Sequence, residues 1–138
     1  MKVVLDTNIL VSGLWSANTQ LASILEMVIK NILTPCYNSE IMKEYREVLA
    51  RPHLAFRFKE ARVDEILKKI VSDGMSVVVA PSKINFVDND DRCFYDVAVV
   101  CDAILITGNL KHYPKKSFIM SPSQFLKFYS EKFPWQES

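Results

Sequence analysis

Residues 1–15 read MKVVLDTNILVSGLW, with the carboxylate of Asp6 between two apolar segments. Val3, Val4 and Leu5 form an unbroken aliphatic run, the pattern of a short strand buried on both faces. Ile9, Leu10, Val11 and Leu14 read as the buried side of the segment that follows. A strand of that kind belongs in a parallel sheet covered by helices. An ionised side chain at its end is partly desolvated, and burying it without a partner is costly. Asp6 therefore needs a partner.

Outward from that stretch, apolar residues at 21, 24, 25, 28, 29 and 32 keep helical spacing over 18–31, and Leu33 to Tyr37 is a second strand interrupted by Pro35. Asn38 or Ser39 can cap a helix that runs to about Ala50 and stops before Arg51-Pro52. A further helix spans 60–73, with Asp64→Lys68 and Glu65→Lys69 pairs on its outer side and Gly74 as terminator. The β-branched run over 75–80 reads as a strand, 91–102 as a helix, 103–107 and 118–120 as strands. Ser121-Pro122-Ser123-Gln124 then opens the last helix with a capping box and proline at its first position. Alternating strands and helices predict an α/β fold: three layers, α/β/α, around a mostly parallel central sheet of four to five strands. We expect one domain over residues 1–138. The apolar tail Phe133-Pro134-Trp135 can dock on the core or on a partner.

Composition narrows the function. No apolar run approaches the roughly 18 residues of a membrane span, and no signal-peptide pattern opens the chain, so a cytoplasmic protein without membrane contact is expected. Cys36, Cys93 and Cys101 lack CxxC spacing or a nearby histidine pair and read as reduced core thiols. Net charge is +1, which disfavours a protein that holds nucleic acid by charge alone but not an enzyme that meets a few phosphates. With only three glycines, at 13, 74 and 108, neither a dinucleotide-binding GxGxxG nor a P-loop exists, so no nucleotide cofactor is expected.

The acids gather at one edge. Ligands of open parallel sheets bind outside the carboxyl ends of the strands. Asp6 and Thr107-Gly108-Asn109 both end strands, Asp91 begins a helix at that rim, and Glu44 lies one to two turns into another. On the 39–50 helix, Ile41, Met42, Tyr45, Val48 and Leu49 form the apolar stripe, with Glu44 at its border and Glu40 and Glu47 farther toward solvent. Asp88, Asp90 and Asp91 exceed what capping requires, although one of them is expected to be a cap. Carboxylates converging on a partly dry rim call for a hard cation, and Mg²⁺ or Mn²⁺ takes such oxygen ligands with waters and phosphate oxygens. Such an ion suits phosphodiester hydrolysis. Asp6 would be the central ligand, Asp91 a direct or water-mediated one, and Glu44 a water-mediated ligand or a water orienter. Asn8, Thr107 and Asn109 could hold waters or phosphate oxygens, with Asp90 beside them.

LDTNILVS, SEIMKEYREVLARP, DNDDRCFYDVAVVCDAILITGN and IMSPSQFL, in that order, resemble PIN-domain ribonucleases, above all the bacterial and archaeal toxins of toxin–antitoxin pairs. The resemblance implies the PIN-like three-layer fold, Mg²⁺ or Mn²⁺ as cofactor, RNA as substrate, an antitoxin protein as partner, and a homodimer or higher homo-oligomer. It matches Asp6, Glu44 and Asp91 to the family's first three acids. Its fourth acid falls on Asn109, which removes a charge, with Asp88 or Asp90 as compensation. Asp96, mid-helix, reads as a surface residue rather than a ligand, and Asp102 as solvated. His53 and His112 read as surface or loop residues. Lys111, Lys115 and Lys116 could meet RNA phosphates, with Lys43, Arg46, Arg51, Arg57 and Lys59 adding to that surface, while Trp15, Phe56 and Phe58 stack on bases or pack in the core or an interface. Two other readings compete: a PIN-fold scaffold that binds RNA or protein without cutting, and an aspartate-based phosphatase or receiver domain, which Asn8 fits poorly because an acid belongs there.

Overall fold

Val3, Val4 and Leu5 are completely buried, and their strand is the middle of the sheet. The computed structural model describes residues 1–15, 20–52, 60–84, 86 and 89–134. Its strands β1 (Lys2–Leu5), β2 (Thr34–Tyr37), β3 (Met75–Ser76), β4 (Ile104–Ile106) and β5 (Ile119–Met120) are all parallel, in the order β3-β2-β1-β4-β5. Among the described residues the helices are α1 (Thr7–Trp15), α2 (Gln20–Ile29), α3 (Ser39–Leu49), α4 (Glu60–Asp73), α5 (Arg92–Cys101) and α6 (Pro122–Lys132). Helix α5 packs on β1, β2, β4 and α3, while α2 packs on α1, α4 and α6. The result is the three-layer α/β/α architecture that the alternation of elements predicts. Among the described residues no helix is long and apolar enough to cross a membrane.

Local chemistry explains the boundaries. Asn38 caps α3, its side chain accepting from the Ile41 N–H at 2.9 Å. Ser121 and Gln124 form the full capping box of α6 behind Pro122. Helix α1 begins directly after Asp6, whose carbonyl accepts from the Ile9 N–H at 2.9 Å, so the strand-end acid abuts a helix rather than an open loop. Gly74 ends α4 without a left-handed conformation. Its role is close approach: a Cβ there would stand 2.6 Å from the Pro35 carbonyl oxygen and 2.3 Å from that of Ile70.

Two expectations give way. The strand over 75–80 pairs only at Met75 and Ser76, with one further bond from the Val77 N–H to the Tyr37 carbonyl, and Val78 is fully exposed. As the edge strand, β3 has only β2 beside it, and β2 ends at Tyr37, so the β-branched run outlasts its partner. On α4 the pairs are Arg62 with Glu65 and Lys69 with Asp73, and Arg62 also reaches Glu26 on α2. Packing of α4 against α2 redirects Arg62, which the helix pattern alone does not register. Asp91 occupies the N-cap position of α5 but makes no side-chain capping bond. At the C-terminal end, Phe133 packs on Tyr129 at 4.9 Å between ring centroids, whereas Trp135 lies outside the described residues.

Candidate active site

The chain leaves β1 toward β2 on one side of the sheet and returns to β4 on the other. That reversal opens a crevice at the carboxyl ends of β1 and β4, where parallel sheets bind their ligands. Asp6 lies on one side of it and Thr107 on the other. The register Leu5↔Ile106 brings them together, and the Thr107 hydroxyl donates to Asp6 Oδ2 at 2.7 Å. Tyr113 donates its hydroxyl to the same oxygen at 3.2 Å. Asp6 is only 5% exposed, so these two donors answer its need for partners. Thr107 is completely buried and in turn accepts from the Asn109 N–H at 3.0 Å, which fixes its rotor as a donor to Asp6.

Glu44 reaches the same crevice from α3. Its Oε2 accepts from the Thr7 hydroxyl, in the first turn of α1. The neighbours of the two acids are also joined: Tyr45 donates from the core to the Leu5 carbonyl at 2.5 Å, locking α3 against the end of β1. Burial raises the Glu44 pKa, the Thr7 hydrogen bond opposes it, and the charges of Asp6, Asp90 and Asp91 raise it further. Those same charges show that the carboxylates share one electrostatic environment. Asp91 turns its Oδ2 toward His112 Nδ1 at 3.2 Å, which explains the unused N-cap. Glu40, Glu44, Asn89, Asp90 and Cys93 line a cleft of about 240 Å³ beside the crevice. Burial, then the Glu44 and Glu40 charges, push the Cys93 thiol up to about 12, so it stays protonated at neutral pH.

Among the described residues, no three histidine, cysteine or acidic side chains lie close enough to grip one ion directly. Neither Asp6 nor Glu44 is ion-paired with a lysine or arginine among those residues, and Asp6 Oδ1 and Glu44 Oε1 carry no hydrogen bond there. An all-oxygen donor set at this looser spacing fits Mg²⁺ or Mn²⁺, which keep several waters and use one or two carboxylates.

Other predicted residues fall differently. Asn8 is exposed in the first turn of α1, away from these bonds. Lys111, Lys115 and Lys116 line a groove of about 490 Å³ along the edge strand, with Leu110 and Ile119. Asp96 is not a surface residue: it is 7% exposed and accepts from the Ser82 N–H at 3.0 Å, because the 77–84 segment covers that side of α5. Asp102 is exposed in a left-handed conformation at the end of α5. Asp88, His53, Phe56, Arg57, Phe58 and Lys59 lie outside the described residues. Sequence reading missed Thr7, His112 as a partner of Asp91, and Tyr113. A signal existed for each: Thr7 follows Asp6 directly, and His112-Tyr113 come just after the strand-end Thr107-Gly108-Asn109.

The family model of the PIN domain matches residues 2–111. An uncharacterized protein of Methanocaldococcus jannaschii, MJ1680, is 33% identical over 113 residues, which cover 79% of this chain and 71% of the relative.

Proposed function

The chain belongs to the PIN domain family, and from that premise we propose that it is a Mg²⁺- or Mn²⁺-dependent endoribonuclease that hydrolyses RNA phosphodiester bonds. The observation that carries this reading is that Glu44, beside the β1/β4 crevice, feels the negative charges of Asp6, Asp90 and Asp91, which raise its proton affinity and which a cation would relieve. When bound, the ion polarises the phosphoryl group and acidifies water. Asp6, oriented by Thr107 and Tyr113 through Oδ2, offers Oδ1 to the ion or its waters, and Asp91 contributes from the start of α5. Glu44 is held through Oε2 by Thr7, and its raised pKa suits Oε1 to accept the proton of the attacking water. Lys111, Lys115 and Lys116 meet the phosphates of the flanking strand. With Asn109 where similar proteins carry an acid, we assign one firmly held ion rather than two.

The toxin role, with an antitoxin partner and a homodimer, is supported by resemblance. Co-expression with the product of an adjacent small gene, if that gene is an antitoxin, suppresses cleavage and yields a copurifying complex. The nuclease itself is tested on a panel of single-stranded RNAs with Mn²⁺ or Mg²⁺, with EDTA, and with Asp91→Asn beside wild type. Metal-dependent cutting lost in the variant supports the reading. Equal cutting by both proteins points to a contaminant, and no cutting by either favours a scaffold that binds without cleaving.

A further inference from the structure

The acidic turn at Asp90 and Asp91 leads directly into α5, whose N-cap residue Asp91 makes no side-chain capping bond. Arg92, the first residue of α5, is half-buried and spends its guanidinium on the segment before the turn. Nη1 donates to the Ser82 carbonyl at 2.7 Å, to the Ser82 hydroxyl at 3.2 Å and to the Ile84 carbonyl. Nη2 donates to Asn89 Oδ1 at 3.3 Å, and the group lies 5.0 Å from the centre of the Phe86 ring. Ser82 is gripped from the other side as well, its N–H donating to buried Asp96 one helical turn beyond Arg92. Phe86 carries the brace further: its ring meets Tyr113 nearly edge-on, at 6.2 Å and 83°, and Tyr113 donates to Asp6. One guanidinium thus links the residue before the acidic turn, the segment above it and, through two rings, the strand-end carboxylate.

Resting on the metal-nuclease reading, we propose that Arg92 is the positioning residue of this site: it braces Ser82, Ile84, Phe86 and Asn89 against α5 and so fixes Asp90 and Asp91 opposite Asp6 and Glu44. A lysine cannot replace it, because the brace needs a planar fork that donates in several directions and stacks on a ring, whereas an ammonium is a point charge on a flexible stem.

The test uses metal-free full-length protein, with Arg92→Lys, Arg92→Gln and Asp91→Asn beside wild type. Hydrogen exchange follows residues 81–91 against β1 and β4, and calorimetry follows Mn²⁺ binding. Both Arg92 variants are expected to speed exchange in 81–91 while the sheet stays protected, and to weaken Mn²⁺ binding by about 10–100-fold, the usual effect of losing a group that orients a ligand. Asp91→Asn is expected to weaken Mn²⁺ without touching exchange. Arg92→Lys keeps the charge and stem, so it serves should the glutamine variant not fold. Mn²⁺ binding by Arg92→Lys equal to wild type's, or unaltered exchange in 81–91, overturns the role of Arg92 alone. A wild type that takes up no Mn²⁺ overturns the nuclease reading, and the positioning role with it.

Discussion

Two hydroxyls on one carboxylate oxygen make Asp6 the most constrained group of the crevice. Burial, then the charges of Asp6 and Asp91, hold the Tyr113 phenol far above its usual range, so it is a donor at every working pH. Tyr113→Phe keeps the ring contact with Phe86 and deletes only the hydroxyl, and Thr107→Val does the same at the other donor. Each is expected to weaken Mn²⁺ binding by about 10–100-fold. Because both act on Oδ2, the double variant should lose less than the product of the two; a Tyr113→Phe protein that binds Mn²⁺ like wild type would show the hydroxyl to be idle. Glu44 has a thermodynamic signature of its own. An acid whose folded pKa exceeds its unfolded value binds more protons when folded, so stability falls as pH rises from the ordinary value of 4.5 through the raised one. Glu44→Gln removes that penalty. In EDTA it is expected to melt above wild type at neutral pH and to approach it below pH about 4, where wild-type Glu44 is itself neutral, while cleavage is lost; thermal melts across pH read this directly. Asp6 stood out because a carboxylate inside an apolar run is anomalous in itself. Thr7, His112 and Tyr113 lie beside readable motifs, but their roles were missed, since a hydroxyl or imidazole takes on its role only when folding brings it to a partner, in the case of Tyr113 one that lies 107 positions away.

At the scale of elements, whatever is encoded within four residues was readable. Asn38 and the Ser121/Gln124 box are local chemistry, and both helices start where that chemistry puts them. Strand β3 was misread for the opposite reason: its length depends on how far β2 extends beside it, a non-local quantity that β-branched residues do not encode. Gly74 shows how the two kinds of information mix. A glycine after a helix suggests a left-handed cap, but the backbone keeps negative φ there, and the demand for glycine comes from Pro35 of the neighbouring strand. Gly74→Ala would drive a methyl into two carbonyl oxygens with no flexible side chain to give way, so a loss of about 1–3 kcal/mol is expected, read as a lower urea midpoint at constant slope. An unchanged midpoint would mean that α4 shifts freely on β2. The acidic turn belongs to this scale too: Asp91 at the N-cap turns its side chain to His112 instead of capping α5, and on the proposal above the brace from Arg92 does what capping does elsewhere.

Across the whole molecule, charge is separated rather than abundant. Net charge is +1, yet Asp6 and Glu44 lie at the β1/β4 crevice with Asp90 in its adjoining cleft, while Lys111, Lys115 and Lys116 line a groove beside β5. The single 3₁₀ turn Leu110–His112 joins the two regions, since His112 faces Asp91 and Lys111 faces the groove. On the proposed reading, a polyanion would be repelled by the metal-free crevice and attracted to the groove next to it, and bound metal would convert the crevice from repulsive to attractive. RNA affinity should depend on metal and salt through different residues. Each phosphate neutralised on a single strand contributes about 0.7 to the slope of log affinity against log salt. Replacing Lys111, Lys115 and Lys116 with glutamine should flatten that slope by roughly 2 and weaken binding across RNA sequences alike, while Mn²⁺ affinity stays at the wild-type value. Asp91→Asn should do the reverse, losing Mn²⁺ and the metal-dependent part of RNA binding with the salt slope of the groove intact. Fluorescence anisotropy with a labelled, uncleaved RNA over a salt series reads both. A triple-lysine variant with the wild-type slope would mean that these lysines only solvate the edge of the sheet and that the strand takes another path to the crevice.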